Sequence, residues 1–564
     1  MPTIKSTHDL LGQDNATGGA DRLARSNYCY LFEALANSPT SGIFAETDDE
    51  ATVHRLKEFE IATRPPLTSP PAVLMHLPAA YTYFGQFMNH DISAPAVGSL
   101  VNGDETVPAG VIGTADPPGI GKDWRADLAA ILKHFINQHD RPMNLGSLYG
   151  VGPGARDSDV SWLYAADGKR FRLARTSVAD DQIFRDIKLD PKVVVHATDA
   201  ASGQVAPDIP RKDGLPLIAD RRNDGNLILS QLHLAFMLAH NRAVDMLERQ
   251  NPAPADVFAE ARQLLTLHYH WLILNDFLPS LLSKSVLSKP LSQWVPRVIA
   301  PNTVPMEFTT AAFRFGHSMV GRSYDFNANF GHEGRVSKTG AALAEIFGFT
   351  SHGKMNDLSG NTSQVPDHWV IDWDRMTRVR QPGAGPGDPD GGAEKIDLNF
   401  APDMLNVAGD ARVAEHGSIM FRNLLRGFHR RIPFGQALAK ACNVPRLDPD
   451  QILLAMRQEP APDGGYNDIS VVAKNLGFDK ETPAWLYFLC EAKFLEQGER
   501  VGPTASQIIT DTIVGLMRNN PQSVLQYKGG KWHPKDSMLK NKDGEALVSL
   551  RAFLLFATEG IRQT

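Results

Sequence analysis

The stretch that decides the fold is residues 81–93, YTYFGQFMNHDIS, in which Gln86 and His90 interrupt a run of aromatic and apolar side chains. The two polar residues are four apart, so a helix would place them on one face, one turn from each other. A neutral imidazole beside an amide, walled by aromatic rings, suits a pocket that moves protons. A lone histidine in such a run is more often a hydrogen-bonded core residue, and the stretch alone leaves both interpretations open.

A second stretch, residues 311–320 (AAFRFGHSMV), places His317 in a matching apolar frame. A haem enzyme that handles peroxide needs one histidine to ligate the iron and another on the opposite side to move protons. Two histidines framed in this way favour a haem site over two unrelated core residues.

These stretches carry a resemblance to the animal-type haem peroxidases, the peroxidase–cyclooxygenase superfamily. FGQFMNHDIS resembles their distal helix and AAFRFGHSMV their proximal helix, and further motifs in the family's order extend the similarity from about residue 74 to about residue 516. The resemblance implies a mainly α fold, one large domain with long loops and little β structure around a haem. We expect an N-terminal arm over 1–60, a catalytic domain over 61–520, and a C-terminal tail over 521–564 packed on the domain.

The resemblance also implies catalytic roles. His90 would take a proton from hydrogen peroxide and return it to the leaving oxygen, and Gln86 would orient a water or halide beside it. Arg222, in DRRNDGNLILSQLHLAFMLAHNR, matches the catalytic arginine that stabilises the separating charge. Taken alone, Arg222 would be an ion-pair partner of Asp220 or Asp224. Its register with the HNR motif at 240–242 favours the catalytic role.

The haem would be held by residues that match the family's binding motifs. His317 matches the iron ligand, and Asn423 in MFRNLLRGFHRRIPFGQ matches the asparagine that accepts from the other ring nitrogen. Arg314 and Arg426 match arginines that pair with the haem propionates, where a planar guanidinium fits a carboxylate. The bland alternative for these arginines is ordinary solvation on a helix face.

Two departures from the family refine the prediction. Mammalian members bind haem covalently through positions that are Asn89, Gly225 and Asn226 here, and none of these can form the family's bonds. We therefore expect non-covalent haem b, as in a bacterial-like branch. The dioxygenases of the superfamily carry a radical-forming tyrosine three residues before the proximal histidine, and this chain has Arg314 there. The peroxidase chemistry is favoured.

The family also binds calcium beside the distal histidine. Asp91, Asp140 and Asn144 fall at positions that could supply oxygen ligands, while Gly146 stands where many relatives carry Ser or Asp. Calcium binding and simple turn hydrogen bonds from Asp140 and Asn144 are both open.

The predicted function is a haem-dependent peroxidase that reduces hydrogen peroxide through a ferryl intermediate and oxidises small organic or halide donors, as in a response to oxidative stress. The alternatives are a fatty-acid dioxygenase on the same scaffold and a catalytically silent haem-binding protein. The electron donor and the oligomeric state cannot be read from the sequence.

The composition and charge of the chain bear on its class and its location in the cell. The chain has 564 residues, 42% hydrophobic and 21% charged, with a net charge of −7, which gives no support for nucleic-acid binding. No apolar run approaches the roughly 18 residues of a membrane span, and residues 1–19 lack a signal pattern. We expect a cytoplasmic protein by default, with leaderless secretion open. The three cysteines have no metal-binding spacing.

Overall fold

The chain is described by a computed structural model over residues 26–38, 49–63, 74–94, 128, 131–132, 136–137, 139, 142–153, 162–178, 194–212, 214–297, 300–331, 334–350, 364–378, 391–405, 418–457 and 469–563. Its α-helices in these ranges are α1 Glu33–Ala36, α2 Asp49–Ala62, α3 Ala80–Ile92, α4 Gly146–Tyr149, α5 Leu227–Glu248, α6 Val257–Leu272, α7 Leu278–Leu281, α8 Met306–Thr310, α9 Leu343–Thr350, α10 Trp373–Met376, α11 Ile419–His429, α12 Gly435–Cys442, α13 Pro449–Met456, α14 Ile469–Asn475, α15 Ala484–Glu496, α16 Pro503–Arg518 and α17 Leu550–Ala557. Its strands are β1 Ser26–Cys29, β2 Leu74–Pro78, β3 Ile136–Asn137, β4 Ala174–Arg175, β5 Ala197–Asp199, β6 Gln204–Val205, β7 Pro207–Asp208, β8 Arg211–Lys212, β9 Leu215–Pro216, β10 Thr303–Pro305, β11 Ser323–Tyr324, β12 Ala341–Ala342, β13 Gly392–Glu394 and β14 Ile561–Gln563.

The predicted mainly α fold is confirmed. The strands of the described ranges pair only in twos and threes, in the orders β10-β1-β3, β14-β5-β6, β11-β12, β13-β2, β4-β7 and β8-β9. The longest helix, α5, begins after Asn226, whose side chain accepts from the Leu229 N–H (2.8 Å). None of the helices in these ranges combines the length and the apolar character needed to cross a membrane.

Helix α3 is fixed by aromatic packing on one face. The Phe87 ring stacks on Phe236 of α5 (centroids 4.6 Å apart), and Phe84 meets Tyr269 of α6 edge-on at 6.0 Å. Both phenylalanines are fully buried. Because this face is committed to the core, Gln86 on the other side of α3 is turned away from it.

Helices α6 and α7 run into each other through a wider, π-helical turn at Ile273–Phe277. Pro279 follows in α7, and because it has no backbone N–H it cannot make the regular α-helical bond to residue 275. Such turns change the direction of side chains, and this one carries Asp276 and Phe277 toward the start of α3.

The proximal segment differs from the prediction. The resemblance led us to expect a helix through residues 311–320. Instead α8 ends at Thr310, and a 3-10 helix, Ala312–His317, follows a break at Ala311 (φ −131°, ψ −60°). Tertiary hydrogen bonds hold the break, because the Arg314 Nε–H donates to the Thr309 carbonyl (2.8 Å) and the Trp485 indole donates to the Arg314 carbonyl (3.1 Å).

Both ends of the described chain are tied to the body. Strand β1 lies between β10 and β3, and α2 packs against α11, so the described part of 1–60 is integrated into the fold. At the other end β14 pairs with β5, and the Phe553 ring of α17 lies 4.8 Å from Phe236. The three predicted segments of the chain stay a prediction.

The N-terminal segment is held by a buried carboxylate. Glu307 of α8 accepts from the Leu31 and Phe32 backbone N–H groups, each at 3.0 Å, and its side chain is fully buried. Burial raises the pKa of Glu307 to about 7. A carboxyl whose pKa is raised by folding stabilises the fold below its unfolded pKa, and this stabilisation is lost as the pH rises through 7.

We therefore expect Glu307→Gln to remove part of the pH dependence of stability. At pH 5 the variant should be less stable than the native chain. The glutamine NH₂ group would face one of the two backbone N–H groups and cannot accept a hydrogen bond from it. At pH 8 the deficit should shrink by an amount on the order of 2–3 kcal/mol, since no charge is left to bury. Denaturant unfolding at the two pH values measures this, and an equal deficit at both would contradict it.

Candidate active site

A cavity of about 230 Å³ lies between α3 and the 3-10 helix that ends at His317. One wall carries Gln86 and Asn89 of α3, with Gly225 and Asn226 from the turn that opens α5. The opposite wall carries Arg314, Gly316 and His317, and aromatic and aliphatic side chains close the rest. The two stretches that the sequence singled out therefore face one cavity.

The His317 ring contacts the Asn423 side chain. The Asn423 Nδ2 lies 2.8 Å from the His317 Nδ1, and the Asn423 Oδ1 is buried without a hydrogen-bond partner among the described residues. Burial, with the Arg314 and Arg426 charges, holds the pKa of His317 well below its usual value. A neutral imidazole keeps one lone pair, and turning the Asn423 amide over lets its free oxygen accept from Nδ1–H and leaves Nε2 to ligate a metal.

The distal histidine is held by a relay that the sequence did not reveal. The His90 Nδ1 lies 2.8 Å from the Asn223 Oδ1, and the Asn223 Nδ2 lies 3.1 Å from the His233 Nδ1. Asn223 is completely buried. Burial lowers the pKa of His233 to about 3, so its ring stays neutral and can accept from the Asn223 amide. The only signals in the sequence were the adjacency of Asn223 to Arg222 and a histidine on α5.

His90 is neutral at ordinary pH. Burial and then the Arg222 charge lower its pKa to about 4, although Asp220 and the bond to Asn223 act in the opposite direction. With Nδ1–H donating to Asn223, the lone pair is on Nε2, which is the state that a general base needs. His90 itself does not line the cavity, but the preceding residue, Asn89, does.

Arg222 is more constrained than predicted. Its Nε and Nη2 bind the Asp220 carboxylate (2.6–3.2 Å), while Nη1 donates to the Ser93 carbonyl (2.8 Å) and Nη2 to the His90 carbonyl (2.9 Å). The Arg222 charge holds the pKa of Asp220 well below its usual value, against the effect of burial. Arg222 is not among the cavity-lining residues. In this structure it braces the end of α3, and its catalytic role stays a prediction.

Gln86 lies in the cavity wall, and its predicted role in orienting a water or halide stays a prediction. Its Oε1 accepts from the Asn226 Nδ2 at 3.2 Å, which joins α3 to the start of α5. The neighbouring Asn89 Oδ1 is buried and has no partner in the part of the chain that the structure describes. In this wall the Gln86 amide is therefore held by a hydrogen bond, whereas the Asn89 Oδ1 has no partner among the described residues.

Partly buried and buried positive charge gathers next to His317. Arg314 lines the cavity and has no ion-pair partner among the described residues, its Nε being bound to the Thr309 carbonyl. Burial, with Arg426 and Arg430 nearby, holds its pKa well below the usual value. Arg430 is buried, and burial and Arg426 lower its pKa to about 9. Of these three arginines only Arg314 lines the cavity, and its charge suits an anion bound there.

These features fit a haem. His317 can supply the iron ligand, the orphaned oxygen of Asn423 suits a ring N–H donor on that ligand, and Arg314 with Arg426 suits a carboxylate such as a propionate. The assignments of these residues stay predictions.

The structure describes two of the three residues of the calcium prediction, Asp91 and Asn144, and calcium binding stays a prediction. The Asp91 carboxylate accepts from the Leu145 N–H (3.0 Å) and the Ser147 N–H (3.2 Å), and the Asn144 Oδ1 accepts from Asn520 (2.7 Å). Asp140 lies outside the described residues. Within the described residues, no three His, Cys, Asp or Glu side chains group to hold a metal ion. Through these bonds Asp91 holds the backbone at Leu145 and Ser147.

Part of the chain is similar in sequence to known peroxidases. Residues 159–361 match the family model of animal haem peroxidase, which includes Arg222 and His317 but not His90 or Asn423. The chain is 37% identical over 100 residues to "Peroxidase mlt-7" of Caenorhabditis elegans and 32% identical over 108 residues to human eosinophil peroxidase. These alignments cover 17% and 18% of this chain, and 14% and 15% of the relatives. The predicted resemblance is confirmed.

Solved structures show the same fold over nearly the whole chain. Peroxidase A from Dictyostelium discoideum has a TM-score of 0.51 at 16% identity, with 89% of each chain covered. The fatty acid α-dioxygenase of Arabidopsis thaliana has a TM-score of 0.55 at 11% identity, covering 98% of this chain and 83% of that one. At such identities the likeness shows the fold, which peroxidases and dioxygenases share.

Replacing Arg314 should have two opposite effects: it should stabilise the haem-free protein, and it should weaken the binding of haem. Arg314→Met should raise the free energy of unfolding of the haem-free protein by about 1 kcal/mol, because a buried repulsive charge is removed. The same change should weaken haem binding roughly tenfold or more, through the loss of a charge-assisted bond. Denaturant unfolding and haem titration measure the two effects.

The control is Arg297→Met, since Arg297 is paired with Asp511. That variant should lose stability without a matching change in haem affinity. Loss of stability in haem-free Arg314→Met would show that Arg314 is a structural residue and that the cluster has no need of an anion.

Proposed function

We propose that this chain, which carries a domain of the animal haem peroxidase family, is a haem-dependent peroxidase that reduces hydrogen peroxide and oxidises small organic or halide donors. The proposal rests on the arrangement of two histidines and their hydrogen-bond partners on opposite sides of one cavity. His317, backed by Asn423, lies on one side, and the other side ends in Asn89 next to His90, whose tautomer is set by Asn223.

On the proximal side the chain supplies a ligand and its orientation. His317 would bind the iron through Nε2, and Asn423 would accept from Nδ1–H, which fixes the ring and strengthens it as a ligand. Haem, when bound, supplies the redox chemistry by which peroxide is reduced and donors are oxidised.

On the distal side the chain moves one proton. The His90 Nε2 would take the proton of the peroxide oxygen that becomes bound and give it to the oxygen that leaves. Asn223 holds His90 ready for this by occupying Nδ1, and the Asp220–Arg222 pair sets the charge around it. Gln86 would orient a water or halide in the wall. The ferryl route predicted from the sequence stays a prediction, which the spectra below test.

Binding of haem b without covalent links is part of the proposal. Asn89, Gly225 and Asn226 line the cavity at the positions where mammalian relatives form covalent links to the cofactor, and their side chains cannot form them. Retention would depend on His317 and on the arginines beside it.

A fatty-acid oxygenase is the second candidate, because the shared fold extends to α-dioxygenases over most of the chain. Arg314 opposes it, since an arginine in that place cannot form a phenoxyl radical. Oxygen uptake with an unsaturated fatty acid and no added peroxide would favour this candidate. A haem that binds but never reacts with peroxide would favour a silent haem-binding protein.

The visible spectrum of protein expressed with haem supply tests the proposal. We expect a ferric Soret band that shifts on adding one equivalent of hydrogen peroxide and returns when a reducing donor is added. His317→Ala should lose the band or most of its intensity, and Asn423→Leu should lower haem affinity by about 10–100-fold. Native protein without a Soret band despite haem supply would sink the proposal.

The role of His90 predicts a pH profile. The neutral imidazole is the base, so the rate of reaction with peroxide should be flat from pH 5.5 to 8 and fall as the pH drops through the His90 pKa of about 4. Asn223→Asp keeps an oxygen acceptor but adds a negative charge beside His90. That charge should raise the His90 pKa and move the midpoint to higher pH.

Stopped-flow measurements of the peroxide reaction over this pH range provide the test. His90→Gln is the reference and should be slower by about 10²–10⁴-fold with no midpoint left. If the Asn223→Asp midpoint coincided with that of the native enzyme, Asn223 would not be acting through His90.

A further inference from the structure

Tyr81, at the start of α3, joins the cavity to a carboxylate. It lines the cavity, and its phenolic O–H donates to both oxygens of Asp276, each at 2.8 Å. Its ring stacks on Phe277, with centroids 6.1 Å apart and planes 15° apart. The π-helical turn Ile273–Phe277 brings Asp276 and Phe277 to this place together. None of the roles assigned above uses this pair.

A second tyrosine on the same wall provides an internal comparison. Tyr83 also lines the cavity, but its hydroxyl donates to the Tyr324 hydroxyl at 2.8 Å, and that oxygen also accepts from the Gly321 N–H. A phenol is a far weaker proton acceptor than a carboxylate. Tyr81 is therefore next to a base and Tyr83 is not.

The difference matters for oxidation. A phenol that loses an electron becomes strongly acidic, so the electron leaves readily only if the proton can leave with it to a positioned base. Asp276 is positioned for that, since one of its oxygens also accepts from the Leu550 N–H at 2.6 Å. The Asp276 side chain is only partly buried, whereas Tyr81 is 8% exposed. A proton on Asp276 can therefore reach solvent, while the Tyr81 ring stays sheltered beside Phe277.

We propose that Tyr81 is a redox-active tyrosine, which passes one electron to the peroxide-oxidised haem and its phenolic proton to Asp276. This rests on the proposed function, which supplies hydrogen peroxide as the oxidant. The phenolic O–H bond breaks, the Asp276 carboxylate becomes a carboxylic acid, and a neutral tyrosyl radical remains. An organic one-electron donor then returns the electron to Tyr81, and Asp276 returns the proton.

The experiment is electron paramagnetic resonance of haem-loaded protein frozen within a second of mixing with one equivalent of hydrogen peroxide. The native enzyme should show a tyrosyl radical, and ring-deuterated tyrosine should narrow its spectrum. Tyr81→Phe should lower the radical yield at least tenfold, because the ring and its stack on Phe277 are kept but the hydroxyl is lost. Tyr83→Phe, the matched control, should keep the native yield.

Asp276→Asn tests whether Asp276 acts as a proton acceptor or only as a structural residue. The amide keeps an oxygen for the Leu550 N–H but cannot take a proton at neutral pH, so the radical yield should fall about as far as in Tyr81→Phe with the Soret band intact. An unchanged radical in Tyr81→Phe, or equal loss in Tyr83→Phe, would overturn the inference and leave the proposed function standing. Native protein that takes up no haem or ignores peroxide would overturn both.

Discussion

Burial keeps the rings of His317, which lines the cavity, and His90, which follows the cavity-lining Asn89, neutral, and the rest of the site depends on this. An imidazolium at His317 could not ligate iron, and one at His90 could not take a proton. Removal from water penalises the charged form of each ring, which holds both pKa values below that of a free histidine. The nearby arginines act in the same direction, since Arg222 lies beside His90 and Arg314 beside His317. A single physical effect thus prepares a ligand on one wall and a base near the other.

The same burial has a cost on the proximal wall. The low-polarity surroundings that keep His317 uncharged also destabilise the positive charge on Arg314 and Arg430. By itself, such a cluster of positive charges lowers the stability of the folded protein. The cluster makes sense where an anion completes it, and this links the histidine and the arginines into one binding site.

The sequence could predict the parts of the site that lie within one motif. Gln86, His90 and the helix that carries them follow from local spacing, and His317 and Asn423 pair across the fold as the motif register implied. The break before His317 could not be predicted, because it is held by Trp485, which lies on a distant helix. The pairing of Tyr81 with Asp276 joins residues 195 positions apart through a π-helical turn, which no local pattern marks. The role of Asn223 could not be predicted, because it depends on contacts with His90 and His233 that only the folded chain makes.

The proposed binding of haem without covalent links would place different demands on the two walls of the cavity. Three cavity-lining positions that could have formed bonds hold Asn89, Gly225 and Asn226, so this wall can only shape the cavity and hydrogen bond. Asn226 is already bound to Gln86, and the Asn89 oxygen is left free. Under the proposed function, affinity would come from the other wall, where His317 lies close to Arg314, which has no ion-pair partner among the described residues. Under the proposed function one wall would bind the cofactor and the other would handle protons. The aromatic packing of α3 against α5 and α6 fixes the position of the helix that carries the second wall.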